Sequence, residues 1–493
     1  MRRMLLLLLL LVQAVPAFSQ SIRYSVAMPQ PSSHVFRIEI TIDHPGITPV
    51  ELRLPVWNGL YQVRDFSQFV QNLQANVPVK RVDKDTWRFS VGSDDLLKVT
   101  YGVFANEWGA FSSELNESHA FFNSADLLMM WPAKRSLPVE LTVRPPAGWQ
   151  VSTSLAPAGS PLTYKAENYD HLVDCPVDVG KLDTFTFVVN DVPFSISVDG
   201  NHREYDRTEL QTMIQQIVRT ETGFMNDIPV GKYTFLFHFN DGDRGSSGGM
   251  EHRDSTAIHT VFRGGRSVRT VAGVAAHEFF HLWNVKRIRP MGLEPVDYFK
   301  ENYTTALWFS EGVTSYYGDL LLRRGGLLSR QEYLNALSEE IQALQSRAAR
   351  KTQSAAESSL LTWYDKYDYY RQPDQSISYY NKGLLIGLLL DLRIRDASDN
   401  KFSLDTVIRH LNENYARKER LFEDDYGIAR AIAEATGLNL DREYQSYVHT
   451  TEELPYAEVL RAAGLELNGS RIREVPNPTP RQKRILESWL TGR

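Results

Sequence analysis

His277-Glu278-Phe279-Phe280-His281 sets two imidazoles four positions apart, with a carboxylate beside the first. On a helix, residues four apart share one face and lie about 6 Å apart along the axis, so both rings can grip one metal ion. Glu278 then stands where it can act as general base on a water held by that ion. Two histidines supply two ligands, whereas catalytic zinc takes three from the protein and keeps a position for water. Glu311, in Leu307-Trp308-Phe309-Ser310-Glu311-Gly312, is the candidate third. An unpaired carboxylate in so apolar a setting is costly, and ligation would explain it. The competing account of the pentapeptide is a surface helix with a solvated glutamate and two satisfied histidines; Glu311 argues against it.

These groups need elements to hold them. Val271, Ala272, Val274 and Ala275 form an apolar, Ala-rich, proline-free approach that predicts a buried helix. Pro290 is expected to end that helix or its extension, with Lys286, Arg287 and Arg289 as solvated cations favoured by the helix dipole. The Glu311 helix should run through Tyr316, Tyr317, Leu320 and Leu321 and stop at Gly325-Gly326. Residues 233–239 read as a strand, followed by a glycine-rich link over 241–249 and then Met250-Glu251-His252. A glycine loop feeding an extended segment, Gly248-Gly249-Met250, lets backbone lie against an extended substrate by strand-like pairing. If that strand edges the cleft, Glu251 would hold a free α-ammonium group and select the end of a peptide. A solvated loop acid is the competing account. Trp363, Tyr364, Tyr367, Tyr369, Tyr370, Tyr379 and Tyr380 crowd residues 363–380, chiefly as packing or rim. Tyr380-Asn381-Lys382-Gly383 opens a helix, and a tyrosine hydroxyl at its mouth can donate to an oxyanion.

The whole chain has 493 residues, 42% of them hydrophobic, which suffices for two or three packed domains. Net charge is −6 and no long basic run occurs, so nucleic-acid binding is not expected. Cys175 is the single cysteine, which excludes an intrachain disulfide and a thiolate metal cage; it reads as a small buried apolar residue. Met1-Arg2-Arg3-Met4, the apolar run after it and Ala17-Phe18-Ser19 have the three parts of a cleavable signal peptide over residues 1–19. The protein is therefore expected to be exported to the periplasm or beyond, without stable membrane insertion. From residue 20 to 195, alternation such as Arg37-Ile38-Glu39-Ile40-Thr41-Ile42 and recurrent turn signals predict a β-sandwich-like domain. Arg64-Asp65 is read as a structural pair, with ligand contact as the other account. Helices are expected over 205–224 and 329–349. Residues 396–493 read as helical and polar-faced, with Pro476, Pro478 and Pro480 before a last helix over 481–490.

The chain resembles the glycyl aminopeptidase family of gluzincin metallopeptidases along nearly its whole mature length. The resemblance rests on Leu54-Pro55-Val56-Trp57 with Tyr61 and Arg64-Asp65-Phe66, and on Leu172-Val173-Asp174 with Pro176. It continues through Gly248-Gly249-Met250-Glu251-His252, the zinc motif extended by Leu282-Trp283-Asn284-Val285-Lys286-Arg287, and Trp308-Phe309-Ser310-Glu311-Gly312. Ser378-Tyr379-Tyr380-Asn381-Lys382-Gly383 and Glu453-Leu454-Pro455-Tyr456 complete the ordered set. It implies a multidomain α+β architecture: the β-rich domain to 195, a thermolysin-like zinc peptidase domain over 196–395 and the helical region over 396–493. It implies Zn2+ held by His277, His281 and Glu311, with Glu278 as base and proton shuttle. Glu251 would bind the substrate's amino terminus, and Tyr380, with Tyr379 as its rival, would stabilise the oxyanion. The implied substrates are peptides with small first residues, glycine foremost and then alanine. An endopeptidase on the same site, and a catalytically silent exported binding protein, are the other readings of these residues. Two departures stand out: about 27 residues follow Glu466, too few for the PDZ domain that the family often carries there. The family's Trp-x-Pro-Gly-Ser-Tyr loop here reads Trp57-Asn58-Gly59-Leu60-Tyr61.

Overall fold

A computed structural model describes residues 21–46, 48–92, 96–199, 205–240, 247–261, 267–365 and 372–492. The expected signal segment, most of the glycine-rich link, and Tyr367, Tyr369 and Tyr370 lie outside them. No helix among the described residues is long and apolar enough to cross a membrane.

The N-terminal domain is two layers of sheet. Its seven-stranded layer centres on Ser21–Ala27 and Val35–Asp43, antiparallel neighbours, with Val139–Arg144 parallel to the first. Alternation places Ile22, Tyr24 and Val26, then Phe36, Ile38, Ile40 and Ile42, on the inner face. A three-stranded and a four-stranded sheet form the second layer and share that core through Leu52, Phe89, Phe122 and Val177. Cys175 is fully buried within it, as its reading as an apolar residue requires. Arg64 and Asp65 do not pair with each other: Arg64 reaches Glu107 at 2.5 Å and Asp65 meets Lys84 at 2.5 Å.

The expected domain boundary at 195 needs correction. The hairpin Asp183–Val189 and Val192–Val198 joins the next sheet, because its second strand runs parallel to Tyr233–Asn240. Ser255–Val261 follows in parallel and Gly248–Glu251 closes the edge, antiparallel. The division between sheets therefore falls between Gly180 and Asp183. Every second residue of Tyr233–Asn240 points to one face, so Tyr233, Phe235, Phe237 and Phe239 meet helices Arg207–Met225 and Ala272–Phe280. Leu236, on the other face, meets Phe121 of the N-terminal domain.

The histidine helix is Ala272–Phe280, and it ends well before Pro290. The cations after it are not solvated as expected. Lys286 pairs with Asp174 at 2.8 Å, Arg287 donates to the Leu282 and Pro229 carbonyls, and Arg289 donates to those of Val285 and Leu293. The C-terminal region is helical apart from a hairpin, Leu465–Asn468 with Arg471–Glu474. Gly469, at a φ of 62°, allows its two-residue turn. The final helix, Pro480–Thr491, starts with a Thr479 capping box. It rests on the Glu311 region, where Trp489 donates to the Tyr316 hydroxyl at 2.8 Å.

Candidate active site

The backbone N–H of His281 donates to the His277 carbonyl, so the last helical turn brings the two imidazoles together on one face, edge to face, as their spacing demands. Their Nε2 atoms lie 2.9 Å apart. Glu311 Oε2 is 3.5 Å from Nε2 of His277 and 3.2 Å from that of His281. Ligands at about 2.0–2.1 Å from a tetrahedral zinc stand about 3.3 Å from one another. The triangle fits. Both outer nitrogens are also tied: His281 Nδ1 meets the Asn284 carbonyl at 2.6 Å, and His277 Nδ1 meets Ser315 Oγ at 3.2 Å. Such ties fix ring orientation and leave Nε2 for a metal.

Glu311 stands on a π-helical turn, Trp308–Val313, that leads into the helix Thr314–Arg324. Such turns often mark functional sites. This turn crosses the helix Tyr379–Ala397 at Gly312 and Gly383, where a Cβ on either residue would strike backbone of the other segment. Asn284 donates to the Phe309 carbonyl at 3.0 Å and to Thr314 Oγ1 at 3.1 Å, locking the turn onto the histidine segment. Burial alone would raise the Glu311 carboxyl, but His281 and His277 overcome it and hold it well below the usual range. Burial opposes charge on His281, yet Glu311 and Glu251 raise it to about 10. Burial and His281 lower His277. Glu311 and His281 thus form an ion pair that holds one proton beside a neutral His277, and a divalent cation is the natural replacement for that proton.

Glu251 closes the edge strand Gly248–Glu251, and its ligand oxygen, one from Glu278 and one nitrogen of His281 lie within 4.8 Å of one another. A side chain at Gly249 would collide with the Glu278 carboxylate, so the glycine lets the edge strand approach the base. Asp174 pins the strand's end, accepting from the Arg253 backbone at 3.1 Å and meeting His252 Nδ1 at 3.2 Å while it pairs with Lys286. Met250 faces the N-terminal domain, among Phe121 and Leu236.

A cleft of about 520 Å³ contains His277, Glu278, His281, Glu311, Glu251, Gly248 and Gly249, with both Tyr379 and Tyr380 in its wall. Tyr380 is half-buried, its ring centroid 6.0 Å from that of His277. Burial, then Glu311, push its hydroxyl well above the usual phenol range, so it stays a donor. Tyr379 stacks on it and is buried, its hydroxyl accepting from Thr362 at 3.1 Å. Tyr61, which the sequence offered only as part of the resemblance and with no role of its own, is brought into the same wall by the N-terminal loop. Burial, Glu311 and Glu251 raise its hydroxyl in the same way. Ser315 was legible, being one helical turn beyond Glu311 on the same face; the Asn284 carbonyl carries no side-chain signal.

A family description, M61 glycyl aminopeptidase, matches residues 270–386, and the M61 N-terminal domain matches residues 23–181. An aminopeptidase N family protein from Idiomarina loihiensis is 30% identical, with a TM-score of 0.84 over 90% of this chain and 78% of that one. The chain belongs to the M61 glycyl aminopeptidase family. It is a metallo-aminopeptidase. An M1 zinc metallopeptidase point mutant from Deinococcus radiodurans has a TM-score of 0.56 at 13% identity, over 88% of this chain and 95% of that one. Yeast LTA4 hydrolase has a TM-score of 0.54 at 12% identity, over 88% and 69%. These two share the fold. No curated protein matches the chain.

Proposed function

We propose that this M61 member is a zinc aminopeptidase that removes small first residues, glycine foremost and then alanine, from peptides. His277, His281 and Glu311 would hold the zinc. The support is their triangle of 2.9, 3.2 and 3.5 Å, with both imidazoles tied from behind. When bound, zinc supplies a Lewis acid that polarises the scissile carbonyl and makes water acidic enough to lose a proton near neutral pH.

Glu278 takes that proton on its carboxylate and returns it to the leaving amine as the peptide bond breaks. Tyr380 donates its hydroxyl hydrogen to the oxygen that gains charge during attack. Its half-buried place beside His277 supports it over Tyr379, which is buried. Glu251 accepts the free α-ammonium group, while the edge strand pairs with the extended substrate backbone. The observation that carries aminopeptidase over endopeptidase action is this carboxylate, within 4.8 Å of the base and a zinc histidine on a strand edge. It favours a chain that starts there and disfavours one that passes through. Tyr61 and Phe111 line the same cleft, and the preference for short first side chains rests on the family.

Gly-, Ala- and Leu-aminoacyl reporters test this, with and without chelator. Hydrolysis should fall from Gly to Ala to Leu, vanish with chelator and return with added Zn2+. Chelator-resistant turnover, or Leu as the best substrate, would sink the proposal.

A further inference from the structure

The layer between the two domains holds a second cluster of histidines and carboxylates. It lies on the sheet face opposite the histidine helix. His238 and His259 are cross-strand partners there, their rings stacked at 4.1 Å. His119 and Asp178 come from two paired strands of the N-terminal domain, and Asp199 follows the strand Val192–Val198. The surrounding layer is apolar: Ala110, Phe121, Leu236, Met250 and Ala257. His119, Asp178, Asp199, His238 and His259 are each at most 5% exposed. Placing so many ionisable groups in a dry apolar seam is costly unless something compensates them.

Among the described residues, His119 Nε2 and His259 Nδ1 have no hydrogen-bond partner. One ligand atom each from His119, Asp199 and His238 lie within 4.8 Å of one another. His119 Nδ1 is 3.7 Å from Asp199 Oδ2. Further carboxylates stand nearby: Glu114 is 3.9 Å from His119 Nε2, and Asp178 is 3.8 Å from His238 Nε2. Neither contact is a hydrogen bond as it stands, and a shift of under about 1 Å would turn each into the outer support that a ligating imidazole usually has.

We propose that His119, His238 and Asp199 bind a second divalent cation of the zinc type, which braces the N-terminal domain against the catalytic sheet. Ligand atoms about 2.0–2.2 Å from one tetrahedral cation stand about 3.3–3.6 Å apart, so a group whose atoms lie within 4.8 Å of one another draws in by up to about 1.5 Å on binding. Imidazole nitrogen with carboxylate oxygen suits zinc and its first-row neighbours, while calcium and magnesium prefer oxygen alone. The site is sealed, so its role is structural: it takes no substrate and stabilises the seam by binding the folded state alone.

Metal content of the full chain after dialysis against Zn2+ tests this by elemental analysis. Wild type should hold two ions per chain, the His277→Ala, His281→Ala double variant one, and that variant carrying Asp199→Asn none. In the double variant, chelator should lower the Tm by about 5 °C or more. One ion in wild type, a second ion that survives Asp199→Asn, or an unmoved Tm would overturn the proposal. Should Asp199→Asn fail to fold, anomalous scattering at the zinc edge from wild-type crystals decides. A peak bounded by His119, His238 and Asp199 supports the site; its absence beside a full peak at His277 and His281 overturns it.

Discussion

The five-stranded sheet carries a histidine–carboxylate cluster on each side, and the two differ in access more than in chemistry. On the helical side, His277, His281 and Glu311 stand 2.9–3.5 Å apart and face a cleft of about 520 Å³. On the other side, His119, His238 and Asp199 lie within a looser 4.8 Å and are closed in by both domains. A catalytic ion needs a free coordination position and a path for substrate, whereas a structural one needs neither. Side chains around the first cluster should therefore govern rate, and those of the seam and the N-terminal core should govern stability.

Glu278→Gln applies the hardest pressure to that division. Turnover should fall by about 10²–10⁴-fold with zinc content and Tm unchanged. Near-normal turnover would remove Glu278 as base. Tyr380→Phe should lower kcat by about 10²-fold with little change in KM, while Tyr379→Phe stays within about 3-fold. The reverse pattern would transfer the role to Tyr379. Glu251→Ala should cost about 10–10²-fold in kcat/KM, and only for substrates with a free amino group. Equal loss on amino-blocked peptides would make it a general wall of the cleft.

The smallest effect belongs to a buried carboxylate outside both clusters. Asp126 accepts from Asn58 and Ser113, each at 2.8 Å, and burial pushes it up to about 7. Its folded value is raised, so its stabilising share is complete below about pH 4 and is lost as pH climbs through about 7. Unfolding titrations should show wild type losing on the order of 2 kcal/mol over that range relative to Asp126→Asn. Parallel curves for the two proteins would show that Asp126 is ionised throughout.

The two clusters were unequally legible. Helical spacing announces His277 and His281, because one helix supplies both and fixes their separation. Glu311 is betrayed by its apolar neighbours, and Glu251 by the glycines that let its strand draw near. The seam cluster draws single residues from separate strands of two domains, and no local spacing records an encounter made only by folding. The same blindness left Tyr61 without a role, since a loop from the other domain brings it to the cleft. The 183–198 hairpin misled because strand alternation is identical whichever sheet accepts it; only the parallel pairing with Tyr233–Asn240 decides. The cations after the histidine helix looked solvated, since a list of residues does not show which carbonyls point at them.

Where Gly312 meets Gly383, two helical segments touch main chain to main chain. Neither can slide, tilt or swell without dragging the other. Glu311 and Tyr380, one on each segment, are in effect mounted on a single joint. A lineage seeking a roomier pocket would have to remodel the opposite wall, contributed by the N-terminal loop, and leave this joint alone.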